Sequence, residues 1–199
     1  MHTKSTWRAA VVLLMSINLT GCLVANNPVT TARHAEPNAI GIWTCTNDTN
    51  NAKFPMRLTI SEDKDGLYNV EQSEYTQDGK ARIESMKVFL SRGPHHNYVN
   101  MMYQAPPPAD KPDAKPPIQY MIFEYEIAPD SLTVRSMNYP ELAAAIQSAK
   151  LHGKAWETTW GVNAEITDES PQLLEFLESE TGQKVFTNEH LLTFARAKK

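Results

Sequence analysis

Between residues 39 and 139, apolar side chains recur at every second position in short runs, and most of these runs end at a turn. A two-residue period puts alternate side chains on opposite faces of an extended chain, so it specifies strands rather than helices. "AIGIWTCT" (39–46) opens the series, with Ile40, Ile42 and Thr44 on one face and Gly41, Trp43 and Cys45 on the other. "PMRLTISED" (55–63) and "LYNVEQSEYT" (67–76) flank Asp63, Lys64, Asp65 and Gly66. An Asp-Gly pair between strand-like runs is a hairpin signal, because both residues tolerate positive φ. Asp78 and Gly79 repeat the device ahead of "ARIESMKVFLS" (81–91). Gly93, Pro94, His95, His96 and Asn97 then turn the chain into "YVNMMYQ" (98–104). "IQYMIFEYEIAP" (118–129) and "LTVRSMNY" (132–139) make a further hairpin across Pro129, Asp130 and Ser131. Such a chain folds as an antiparallel meander.

The helical signals come late. Asn138 precedes Tyr139, Pro140 and Glu141, and Leu142, Ala145, Ile146 and Ala149 follow at helical spacing, with Gly153 as the expected stop. "AWETTWGVNAEIT" (155–167) reads as one strand with Trp156 and Trp160 on one face. Ser170 and Pro171 can open a second helix that turns Leu173, Leu174 and Leu177 inward and ends at Gly182. "HLLTFAR" (190–196) supplies a closing strand. The expected fold is therefore mainly β, eight or nine strands with two short helices. A sheet of that size closes into a barrel or half-barrel, or folds into a sandwich, because closure removes unpaired edges.

Gly41-Ile42-Trp43 in the first strand resembles the G-x-W of lipocalins and related calycin barrels, and Arg196 in the last strand stands where that family has an arginine. The resemblance implies a barrel with Trp43 across its floor and the Arg196 guanidinium stacked on the indole. That barrel-closing pair draws on a modest cation–π attraction. A fold analogy of this kind does not by itself name a ligand.

The N-terminus gives a location. "MHTKSTWR" carries Lys4 and Arg8 and no acid, and "AAVVLLM" with Ile17 and Leu19 makes an apolar stretch of about a dozen residues. Crossing a bilayer takes roughly 20, so residues 1–21 read as an export signal peptide. Leu19-Thr20-Gly21-Cys22 resembles the lipobox of bacterial lipoproteins. This resemblance implies cleavage before Cys22, diacylation of its thiol with fatty chains such as palmitate, and anchorage in a membrane. In that family an Asp after the cysteine favours the inner membrane, so Leu23 implies the periplasmic face of the outer membrane. Residues 23–39 lack any period and read as a flexible tether, whose coil would reach about 20–25 Å. Residues 40–199 form a single domain.

Of 19 Lys and Arg against 23 Asp and Glu, the signal holds only Lys4 and Arg8, so the mature chain carries a formal charge of −6. An acidic surface is a poor match for phosphate backbones, and no nucleic-acid partner is expected. With Cys22 acylated, Cys45 is the one remaining thiol; it lies in an apolar run and reads as buried.

No stretch carries a nucleophile elbow, a zinc-protease helix or a phosphate-binding loop. No catalytic residue, cofactor or metal is expected, and the chain reads as a non-enzyme. His95 and His96 sit in a turn and would point apart, so a metal there would need His190 or a carboxylate to converge. The pair Glu124 and Glu126 shares a strand face without further support. Met101, Tyr103, Tyr120, Phe123 and Tyr125 form an aromatic and methionine group in the central strands. It reads either as ordinary core or as the lining of a lumen for a small amphipathic ligand; a fully packed interior marks the first and a lined cavity of several hundred Å3 the second. The expected function is a binding module for such a ligand or for an envelope partner protein. The alternative is an inhibitor or immunity-type lipoprotein that enters an enzyme's cleft through the Pro-rich loop "APPPADKPDAKPP" (105–117).

Overall fold

A computed structural model describes residues 23–47, 55–75, 80–104, 107, 113, 115–158 and 161–197. The export signal, Cys22 and most of the Pro-rich loop lie outside the described residues, as do Asp78, Gly79 and Trp160. A short strand, β1 (Leu23–Ala25), precedes the alternating region. The alternating runs become β2 (Gly41–Cys45), β3 (Arg57–Glu62), β4 (Tyr68–Tyr75), β5 (Ala81–Arg92), β6 (Asn97–Gln104), β7 (Ile118–Ala128) and β8 (Ser131–Met137). Each pairs antiparallel with the next. After the helix α1 (Tyr139–Gln147), the strands β9 (Gly153–Thr158) and β10 (Gly161–Ile166) and the helices α2 (Ser170–Glu178) and α3 (Glu180–Gln183), the chain returns as β11 (Phe186–Arg196). This last strand lies between β8 and β2 and closes a barrel of eight antiparallel strands. The β3–β4 connection is a tight turn closed by the Leu67 amide donating to the Lys64 carbonyl at 3.2 Å, with Asp65 and Gly66 at φ of 60° and 71°, the positive values that an Asp-Gly pair accommodates.

Two cores divide the apolar residues. Inside the barrel, Trp43, Val70, Leu90, Phe123, Leu132 and Phe194 converge from six strands. Outside it, the opposite faces of β6, β7 and β8 present Tyr98, Ile122 and Met137 to Leu142 of α1 and to Leu173 and Leu177 of α2. The three leucines are fully buried, and each such burial stabilises by about 1.5–3 kcal/mol. Asn138 caps α1 through its side-chain oxygen, which accepts the Glu141 amide at 3.2 Å. No helix among the described residues is long and apolar enough to cross a membrane.

Four expectations need correction. Residues 23–39 are no tether. β1 pairs in parallel with β10 and antiparallel to β7, and Leu23, Ala25 and Val29 belong to the outer core. The Val29 amide donates to buried Asn100 at 2.8 Å, and Ser170 donates to the Pro28 carbonyl at 2.7 Å. The segment lacks a period because it follows an irregular path, anchored residue by residue. Second, residues 155–167 are no single strand: β9 and β10 form an antiparallel hairpin, with Gly161 at φ 120° directly after the turn. Third, α1 stops at Gln147, and Ala149 takes the left-handed conformation expected at Gly153 (φ 54°). Gly153 instead opens β9, where a Cβ would lie 2.2 Å from the Glu165 carbonyl oxygen. Fourth, the strand and helix counts were low; β1, the β9–β10 split and the four-residue α3 make eleven strands and three helices among the described residues.

Candidate ligand site inside the barrel

One end of the barrel is built around Trp43, which is fully buried. Its indole N–H donates to the Ala39 carbonyl at 2.9 Å, and Arg196, its register partner on β11, places its guanidinium 4.2 Å from the ring centroid. The same guanidinium donates to the carbonyls of Pro129, Ile40 and Asn38. Arg196 thus ties the β7–β8 turn and the segment before β2 to the last strand. Gly41 is required beside it: its φ is 143°, and a Cβ would meet Arg196 Nη1 at 2.8 Å. Residues 33–40 continue across this end. The His34 amide donates to Leu90 and the Glu36 amide to the Tyr68 hydroxyl, each at 2.7 Å.

Above this floor the inner face encloses a cavity of about 100 Å3. Ile60, Val88, Met101, Phe123, Leu132 and Val134 supply much of its wall, and Tyr68, Gln72 and Tyr125 are its polar members. Among the described residues, no charged side chain lines it. The cavity is smaller than the roughly 300–1,000 Å3 of a drug-sized pocket, but approaches the ~150 Å3 apolar cavity that admits benzene. The Tyr125 hydroxyl is sealed in this wall: the residue is 3 % exposed, and the oxygen has no hydrogen-bond partner among the described residues. Burial, with the Glu36 charge in support, pushes its pKa up to about 12, so the group stays a neutral donor throughout the physiological range. A buried hydroxyl left without a partner costs about 1–3 kcal/mol.

Toward the other end the inner face turns polar. Gln72 donates to Glu74 at 2.7 Å, and Arg82 pairs with Glu84 at 2.6 Å. The register sets Gln72 opposite Glu84 and Glu74 opposite Arg82. The interior therefore grades from apolar at the Trp43 end to charged at the opposite rim.

Of the five residues singled out for a lining, Met101, Phe123 and Tyr125 face the cavity. Tyr120 does not. Strand alternation sends 121, 123, 125 and 127 inward and the even positions outward, and Tyr120 packs against the outer core, edge-on to Phe89 at 6.0 Å. Tyr103 is half-buried and lies outside the cavity lining. Tyr68 and Gln72 were missed, although they alternate with Val70 in "LYNVEQSEYT". Cys45 is buried in the inner core, and its thiol contacts Asn47 Oδ1 at 3.4 Å.

The histidines do other work. His96 Nδ1 lies 2.6 Å from Glu124 Oε1, whose second oxygen lies 2.6 Å from Arg135 Nη1, while Arg135 Nη2 reaches Glu126 at 3.0 Å. The acid pair and the histidine turn, read as separate coincidences, meet at one buried carboxyl on the outer wall. Beside it, Glu178 of α2 accepts the Tyr98 hydroxyl at 2.9 Å and the His95 amide at 3.0 Å, and holds the helix to the barrel. His152 Nδ1 and its own amide both sit 2.6 Å from the Asp168 carboxyl, a tie that secures the approach to α2. His190's side chain lies outside the described residues. No group of three metal-ligating side chains converges among the described residues. No protein-family model, curated protein or solved structure matches this chain.

Proposed function

We propose that this chain is a bacterial envelope lipoprotein, anchored at the periplasmic face of the outer membrane through acylated Cys22, whose barrel binds a small uncharged amphipathic molecule. It acts by binding and not by catalysis. The observation that carries this reading is the Tyr125 hydroxyl, buried without a partner among the described residues in the wall of a largely apolar cavity. A ligand oxygen there would satisfy the hydroxyl while the ligand's hydrocarbon fills the lumen. Met86 and Met101 in the wall are adaptable and can yield to a guest. A carboxylate would enter the cavity with no cation to meet it and with a large desolvation cost.

The test is thermal unfolding of the mature domain with 1-hexanol and with hexanoate as probes. At about 100 times its dissociation constant, hexanol should add roughly 2.7 kcal/mol, a rise of about 5–10 °C in Tm for a domain of this size. Hexanoate should add far less. Tyr125→Phe should weaken hexanol by about 2–10-fold, one hydrogen bond's worth. Equal shifts from the two probes, or none from hexanol, would exclude the site. The anchor is tested separately: wild-type protein should incorporate clickable palmitate in cells and Cys22→Ser should not, whereas equal labelling would rule out the anchor at Cys22.

A further inference from the structure

The absence of a tether has a geometric consequence that rests on acylation of Cys22. Cys22 is the residue directly before Leu23, and consecutive Cα atoms are 3.8 Å apart. Leu23 is 5 % exposed and fixed in the sheet opposite Ala164 of β10. An acyl anchor one residue away leaves the body almost no freedom to stand off from the membrane. Leu23 pairs with Ala164, and Ala164 pairs with Ala155, the residue next to Trp156 on β9, the edge strand. Two strand spacings, roughly 10 Å, separate Leu23 from Ala155, the residue beside Trp156.

Trp156 is 46 % exposed and, among the described residues, is the one aromatic side chain that is largely exposed. Its neighbours Ala155 and Val162 turn the other way and pack against the outer core, so its indole projects from the uncovered face of the hairpin. Tryptophan favours the membrane–water interface, where its ring is buried among headgroups and acyl carbons and its N–H stays wet. From this placement we infer that the outer face of the β9–β10 hairpin, centred on Trp156, is seated in the interface of the membrane that carries the anchor. The membrane fits better than a protein partner because Leu23, paired with this hairpin, is the residue next in sequence to the acylated cysteine.

The experiment uses the lipidated protein in vesicles of phosphatidylethanolamine and phosphatidylglycerol whose acyl chains carry bromine, a short-range quencher of tryptophan emission. Trp43 is sealed in the barrel floor, and Trp160 is common to every protein compared. Brominated chains should quench wild-type emission, and Trp156→Phe should remove at least half of that quenching. A second variant leaves the hairpin intact. Twenty Gly/Ser residues inserted after Cys22, a coil of about 25 Å, should release the hairpin and remove the quenching while palmitate labelling persists. Quenching that both variants retain, with the label present, overturns the seating and leaves the anchor standing. Wild-type protein without label overturns the anchor and the seating together.

Discussion

Trp43→Ala is expected to cost about 3–5 kcal/mol of folding stability, the range for removing a fully buried large aromatic side chain. For a domain of this size that lowers Tm by about 6–20 °C. The size of the effect follows from what converges on the indole. It is fully buried, its N–H closes the segment before β2 onto the strand, and the Arg196 guanidinium lies against its face. Removing the ring leaves a cavity at the barrel floor and a cation whose stacking surface is gone. Arg196→Met should cost less, because the ring still fills the floor and the lost bonds are to half-wet carbonyls. Urea unfolding of the two variants beside wild type measures both. A Trp43→Ala loss below about 1 kcal/mol would show that the floor is not where the barrel is held shut.

Arg135→Met is the second large change, and it acts on the outer wall. Glu124 has 3 % of its side chain exposed and is flanked by His96 and Arg135 at 2.6 Å each. The bond to Glu124 is also the leading reason the Arg135 guanidinium holds its proton more tightly than usual. Taking one partner from a buried ion pair leaves a charge uncompensated and typically costs about 3–5 kcal/mol. The double variant Glu124→Gln with Arg135→Met should recover most of that loss, since a neutral pair of similar volume carries no orphaned charge. A double-mutant cycle reads the coupling directly. Additive losses would mean that the two side chains do not act as a pair, and that the wall is held by the apolar packing around Tyr98 and Ile122 alone.

How much of this was readable in advance depends on whether a residue's neighbours are set by local rules. Strand alternation and the Asp65–Gly66 turn are local, and the antiparallel barrel followed from them. The Trp43 and Arg196 pair was legible because residues 41–43 and the last strand carried a recognisable pattern, and the register places the two side by side. The path of residues 23–39 was not legible. Its buried members Leu23 and Val29 are held by partners 141 and 71 positions away, Ala164 and Asn100, and no periodicity records such contacts. The β9–β10 hairpin is not marked in the sequence, because residues 159–160 carry neither the Asp-Gly pair nor the proline that signals the other hairpin turns.

The site was half legible for a similar reason. Composition pointed to methionine and aromatic side chains in the central strands, but only strand parity separates Tyr120 on the outside from Phe123 and Tyr125 within. That parity was available in the sequence. Whether the interior is filled was not, because a cavity is a small difference between the volume of the wall and the volume it encloses. The orphaned Tyr125 hydroxyl is of the same kind, a property of what is missing around an atom.

Native mass spectrometry of the protein released from its own membranes by mild detergent bears most directly on the proposal as a whole. The expected spectrum contains a chain that begins at Cys22, heavier by its fatty acyl groups, together with a noncovalent complex carrying one small neutral molecule that Tyr125→Phe largely loses. A chain that still begins at Met1, or an acylated chain that carries nothing in its barrel in either protein, would contradict it.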